Sequence, residues 1–172
     1  MNNLKWYRYL LREEEQEKEK SSNITFKSGK LVDLIADNRR IKRLRVPSWI
    51  LQTNVYPSND PKSVAAVAYD NGEPVAIVTI SKDKHTDHAL VNQFVDVWHR
   101  GLNLSTKLLN MVLEVSDEWE TIIGSRRTND MLKRRGFEEF SKSCPYENCV
   151  VFKNKHYKGE PLLTIPKKKR KR

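Results

Sequence analysis

At 172 residues and 20.2 kDa the chain is long enough for one domain with a real core and short for two. Its composition, 38% hydrophobic and 31% charged, suits a soluble protein, and no apolar run approaches the roughly 20 residues needed to span a bilayer. The first twenty residues end in REEEQEKEK where a secretory leader would have an apolar stretch and a cleavage site, so an intracellular location is expected, cytoplasmic or at a nucleoid or nucleus. The formal net charge of +10 is uneven, because the last six residues are all basic and leave +4 on the remainder.

Leu4, Tyr7, Leu10 and Leu11 fall at helical spacing ahead of the charged run Glu13 to Lys20, which predicts an N-terminal helical extension over residues 1–22. ITF from Ile24 reads as a short strand and KSGK as a turn. From Lys30 a second helical stretch turns Leu31, Leu34, Ile35 and Ile41 inward and ends before Pro47, which disfavours helix at Val46. Its polar face carries Arg39, Arg40, Lys42, Arg43 and Arg45, either a solvated face or a contact for a polyanion.

SVAAVAYDNGEPVAIVTISKD predicts two strands, Val64 to Tyr69 and Pro74 to Ser81, joined at Asp70-Asn71-Gly72-Glu73. Asn-Gly supplies the positive φ angles of a tight hairpin. After a polar loop, a third strand is expected from Ala89 to Val97, then a helix whose inward face is Leu104, Leu108, Leu109, Val112 and Leu113. A fourth strand, Glu120 to Gly124, follows so closely that it should lie parallel to the third. A short helix starting at Thr128 or Asn129 and closing at Gly136, a strand from FEEF and a strand in CVVFKN complete the order. The expected fold is α+β, a mixed sheet of six to seven strands flanked by helices. Residues 159–172 read as a disordered tail, since the like charges of Lys167, Lys168, Lys169, Arg170, Lys171 and Arg172 repel and bury nothing. Such a tail suits phosphate backbones, acidic proteins or an import receptor, and its contact with nucleic acid would read no base.

The turn between the third strand and its helix is Arg100-Gly101-Leu102-Asn103-Leu104-Ser105-Thr106. A helix start carries unpaired N–H groups and the positive end of the dipole, so it holds phosphate wherever the backbone can come close. Gly101 permits the turn, Arg100 adds a charge-assisted bond, Asn103 tolerates left-handed φ, and Ser105 and Thr106 can donate hydroxyls. Ser and Thr are also ordinary helix caps, so this loop alone fits a diphosphate cradle or plain capping.

VDVWHRGLNLSTKLL, in this order of elements, resembles the acetyl-CoA loop of the GNAT superfamily of N-acetyltransferases, V-x-P-x-x-R-G-x-G-x-G/A followed by an apolar helix. RRGF at Arg134 to Phe137 resembles that superfamily's late lysine-leucine-glycine-phenylalanine signature, and the likeness covers roughly Ser63 to Asn154. It implies a GNAT-like domain over 23–158 and an acetyl-CoA or other acyl-CoA cofactor. The implied cofactor contacts are Phe94, Val95, Val97, Arg100, Gly101, Leu102, Asn103, Leu104, Ser105, Thr106, Ser125 and Asn129. The implied reaction is attack of an acceptor amine on the thioester, polarised by backbone N–H groups of the third strand, with Asn92, Asp96 and Ser125 as catalytic candidates. Asp87 and His88 also lie near that strand, and alternation sends half of these side chains to the wrong face.

Several positions depart from the pattern. Asn103 and Ser105 replace glycines, Val97 replaces the usual proline, and Leu132 stands where a tyrosine often protonates the leaving thiolate. Ser125 takes the place of an asparagine that often touches the pantetheine arm. These departures leave two readings open: an acyl-CoA-dependent N-acyltransferase acting on a nucleic-acid-associated or protein amine, or an inactive adaptor that keeps the fold and contacts nucleic acid. Elsewhere, Cys144 and Cys149 read as buried or idle thiols, with a redox pair as the alternative. DKHTDH lacks the rigid frame a metal site needs. His99 reads as a solvated loop residue or a phosphate contact, and Trp98 as core or rim packing that could also cover the cofactor loop.

Overall fold

The computed structural model describes residues 23–44, 60–83, 85–124, 126–141, 144 and 146–159; the expected N-terminal extension, Ser125 and the six tail cations lie outside them. β1 (Ile24–Lys30) is a full strand where ITF and KSGK implied a short strand and a turn. Its whole length pairs antiparallel with β2 (Val64–Asp70), from Ile24 opposite Asp70 to Lys30 opposite Val64. β2 is buried without interruption from Val64 to Tyr69, so both of its edges must find hydrogen-bond partners inside the sheet. Supplying one of them overrides the weak local preference of Lys27-Ser28-Gly29-Lys30.

Between these strands lie α1 (Leu31–Asp37) and a 3-10 turn, Arg39–Arg43. Leu31, Leu34, Ile35 and Ile41 are buried as their spacing predicts. The expected single stretch breaks at Asn38, whose side chain accepts the Arg40 N–H at 3.0 Å and restarts the chain as the tighter helix. β2 passes to β3 (Glu73–Lys82) through Asn71 and Gly72, with φ of 49° and 82°, the hairpin geometry that the dipeptide specifies.

β3 pairs antiparallel with β4 (Ala89–Val95), Val95 lying opposite Ala76. β4 stops short of Val97, the end expected from sequence. The Asp96 N–H still reaches the Val75 carbonyl at 2.8 Å, and the chain then enters a 3-10 turn, Val97–His99, which the His99 N–H closes on the Asp96 carbonyl at 3.0 Å. α2 (Leu104–Glu114) buries Leu104, Leu108, Leu109, Val112 and Leu113, the five positions at helical spacing. It returns the chain to β5 (Thr121–Gly124), parallel to β4.

α3 (Arg126–Arg134) starts ahead of the expected Thr128 or Asn129, and Thr128 is wholly buried within it instead of capping it. Gly136, at φ 69°, closes the helix, with the Phe137 N–H on the Leu132 carbonyl at 3.1 Å. That bond draws Phe137 into the core, so β6 (Glu139–Ser141) begins later than FEEF suggests. β7 (Val150–Lys153) slots between β5 and β6, giving the order β1-β2-β3-β4-β5-β7-β6. The result is a seven-stranded mixed sheet with α2 and α3 on one face, packed on Ala66, Val78, Ile80 and Val91. α1 covers the other face, on Ala65, Val67, Tyr69 and Ile77.

Gly124 ends β5 directly beneath α3. A Cβ there would stand 2.5 Å from Asn129 Oδ1, 3.0 Å from Leu132 Cδ1 and 3.1 Å from Phe152 Cε2. Gly124→Ala is expected to cost about 1–3 kcal/mol through overpacking, read as a lower denaturant midpoint at an unchanged slope.

Candidate functional site

β4 and β5 pair at two positions, Ala89 with Ile122 and Leu90 with Ile123. Beyond them β4 stays with β3 as far as Val95, while β5 ends at Gly124 and the chain turns away into α3. Among the described residues, no strand faces the β5 side of Val91 to Val95. Backbone N–H and C=O groups along that edge are therefore available to a ligand. Two buried polar atoms without hydrogen-bond partners flank the same stretch: Gln93 Oε1, in register with Val91 and Val95 on the α2 side, and Thr79 Oγ1, across from Asn92 on the α1 side.

α2 begins just past the end of β4. Gly101 has φ of 89°, a conformation that other residues adopt only with strain, and a Cβ built on it would meet nothing within 4 Å. Asn103 is left-handed, at φ 55° and ψ 25°, and its side chain does not cap the helix. The first-turn amides of Leu104, Ser105 and Thr106 have no carbonyl one turn back and carry the positive end of the helix dipole. Arg100 is exposed and forms no ion pair among the described residues. The turn and the first helical turn thus carry backbone amides, two hydroxyls and a guanidinium in one short stretch, a donor set that suits a ligand carrying several phosphate oxygens.

The structure distributes the sequence-derived candidates unevenly. Arg100, Gly101, Asn103, Ser105 and Thr106 share the turn and first helical turn. Leu104 and Val95 turn their side chains into the core under α2 and leave only backbone to the turn, and Leu102 packs against the same core. Phe94 packs on the opposite face with α1, while Val97 is 58% exposed. Asn92 lies on β4 opposite Thr79. Asp96 points its carboxylate at His99 Nδ1, 3.4 Å away, and not along β4. Asn129 Nδ2 donates to the Asn148 carbonyl at 3.4 Å, bracing the segment before β7. Leu132 is wholly buried in the core. Trp98, at 81% exposure, covers nothing among the described residues. Sequence reasoning passed over Gln93, although a lone glutamine between Val91 and Val95 on an otherwise apolar face was a visible signal.

The sequence model of the acetyltransferase (GNAT) family matches residues 30–137, which take in β4, the turn, α2, β5 and α3. The chain belongs to this family. Among solved structures, this GNAT protein is similar to ElaA of Escherichia coli, at 14% identity over 75% of this chain and 97% of that one, with a TM-score of 0.51, a likeness of fold. It is also similar to yncA of Salmonella typhimurium, determined with its cofactor acetyl-CoA, at 12% identity over 81% and 97% of the two chains and a TM-score of 0.49. No curated protein matches its sequence.

On the α1 side of the GNAT sheet, Tyr146 and the Cys144–Cys149 pair pack over Leu90 and Ile123. The two cysteines are joined in a disulfide, their Cα atoms 5.9 Å apart, and are not the idle thiols expected from sequence. Tyr146 donates its hydroxyl to Asp83, a 3% exposed carboxylate that also accepts from Thr86 Oγ1 at 2.9 Å and the His85 N–H at 3.2 Å. His88 Nδ1 meets Thr121 Oγ1 at 2.5 Å. DKHTDH thus serves as a brace between β3, β5 and the β6–β7 loop. Burial, with the Asp83 carboxylate as acceptor and neighbouring charge, pushes the Tyr146 phenol up to about 12. The folded state holds this proton more tightly than the unfolded chain, so the stabilisation is complete below about pH 10 and is lost as pH rises towards about 12. Denaturant titrations of wild type and Tyr146→Phe should differ by a constant amount below that window and converge above it.

Proposed function

We propose that this GNAT protein binds acyl-CoA, acetyl-CoA in the first instance, at the front of α2 and in the wedge between β4 and β5, and transfers the acyl group to an amine. The reading rests on one coincidence: the donor-rich helix start and the unpaired edge of β4 open at the same end of the sheet. The transferase domain is taken to span residues 23–158, preceded by an extension over 1–22 and followed by a basic stretch over 159–172.

The chemistry of the donor set supports this fit. A diphosphate offers only acceptors, and the turn offers the Leu104, Ser105 and Thr106 amides, two hydroxyls and Arg100. A pantetheine arm carries amide N–H groups, and Gln93 Oε1 is a buried acceptor without a partner. When bound, the thioester supplies an acyl carbon activated towards an amine. The unpaired β4 amides would hold its carbonyl oxygen, and Asn92 and Thr79 would orient the incoming nitrogen from the α1 side. Asn92 carries no charge, so the amine proton passes to water. Leu132 cannot protonate the leaving sulfur, and solvent takes that role as well.

The acceptor class is an amine on a nucleic-acid-associated or protein substrate, a choice favoured by the Lys167 to Arg172 tail and by exposed Arg39 and Lys42 beside α1. Burial of Leu132 favours a second reading, an adaptor that keeps the fold and binds without turnover. Calorimetry with acetyl-CoA, followed by mass spectrometry of lysate proteins and nucleic acids incubated with labelled acetyl-CoA, separates the two. Binding with label supports transfer, binding without label supports the adaptor, and no binding ends both. Arg100→Glu should weaken acetyl-CoA binding at least about tenfold while leaving the circular dichroism spectrum unchanged.

A further inference from the structure

The turn ahead of the Arg100-Gly101 pair is folded inside out by ordinary standards. Trp98 and Val97 are 81% and 58% exposed, whereas the side chain of His99 between them and the loop is only 16% exposed. A tryptophan left in water beside a mostly covered imidazole points to the contacts of the imidazole, and not to hydrophobic burial, as what holds the turn. Those contacts are two carboxylates. His99 Nε2 stands 3.0 Å from Asp70 Oδ2 at the end of β2, and Nδ1 stands 3.4 Å from Asp96 Oδ2 at the end of β4.

Both anchors are themselves fixed. Asp70 takes the Asn71 side-chain N–H on its other oxygen at 3.0 Å, and the hairpin tip is held from the α1 side by Asn38 Nδ2 on the Gly72 carbonyl at 3.1 Å and by the Arg40–Glu73 ion pair. Asp96 is tied to β3 through its own N–H on Val75 at 2.8 Å, and the His99 N–H closes the turn on the Asp96 carbonyl at 3.0 Å. The imidazole therefore ties the last residue before the phosphate-facing turn to the end of β2 through Nε2, while Nδ1 lies beside the Asp96 carboxylate without a hydrogen bond.

We propose that His99 is a positioning residue for the diphosphate loop: its ring, held between Asp70 and Asp96, sets the backbone from which Arg100, Gly101 and the first amides of α2 meet the cofactor. The inference rests on the acyl-CoA reading above and deepens it. It separates His99 from a general structural role, because the loop it sets touches only the diphosphate end of the ligand and not the pantetheine end.

Calorimetric and NMR titrations with CoA and with pantetheine, which lacks the diphosphate and nucleotide, test this in the full-length protein. His99→Phe, which keeps the bulk and removes the donors, should weaken CoA at least about tenfold and leave pantetheine within about twofold. His99→Gln, which restores a donor, should recover most of the loss. Asp70→Ala, which keeps the imidazole but frees it from the hairpin, should reproduce the selective loss and covers the case in which His99→Phe does not fold. Equal weakening of both ligands, or CoA binding unchanged in His99→Phe and Asp70→Ala, overturns the proposal while leaving acyl-CoA binding intact. A wild-type protein that binds no CoA removes the underlying reading, and the inference with it.

Discussion

The parting of β4 from β5 is the constraint on which the rest depends. A parallel pair joined by a crossover helix would ordinarily run side by side for the length of both strands. Here Gly124 is wedged beneath Asn129, Leu132 and Phe152, so the chain leaves the sheet at that point and α3 takes it away. β4, held by β3 through Val95, cannot follow. The separation exposes peptide groups in the middle of an otherwise closed sheet, an arrangement stable only where water or a ligand completes the bonding.

α2 converts that opening into a site with direction. Its five buried side chains fix the helix on the sheet, so the N-terminus cannot drift from the end of β4. Each such burial contributes roughly 1.5–3 kcal/mol, far more than the small electrostatic gain at a helix end. Packing thus sets where the positive end of the dipole points, and electrostatics decides what it attracts. The disulfide-bridged β6–β7 loop and α1 then bound the opposite face of the sheet, where Thr79 and Asn92 lie.

Much of this was legible in the residues. The Asn-Gly hairpin, the buried face of α2, the parallel return of β5 and the closure of α3 at Gly136 all follow from local rules, and all four hold in the structure. Failures came where distant partners overrule local preference. KSGK looks like a turn until β2 requires an edge partner, and Val97 looks like strand although the chain turns there and brings His99 to Asp70 at the end of β2. The turn was readable because glycine and asparagine at positive φ leave a compositional trace. The surroundings of His99 were not, since its two carboxylates come from positions 70 and 96, and no spacing rule connects Asp70 to the loop. The pairing of Cys144 with Cys149 was hidden for a similar reason: proximity in sequence does not say whether two thiols face each other.

Amide chemical shifts offer the most direct reading of the central claim. In 15N-labelled protein titrated with CoA, the largest changes should fall on Gly101 to Lys107 and on the alternate amides of Val91 to Val95 that face β5, with little movement in β1, β6 or the hairpin tip. Saturable shifts confined to other surfaces, or none in either segment at millimolar CoA, would contradict it.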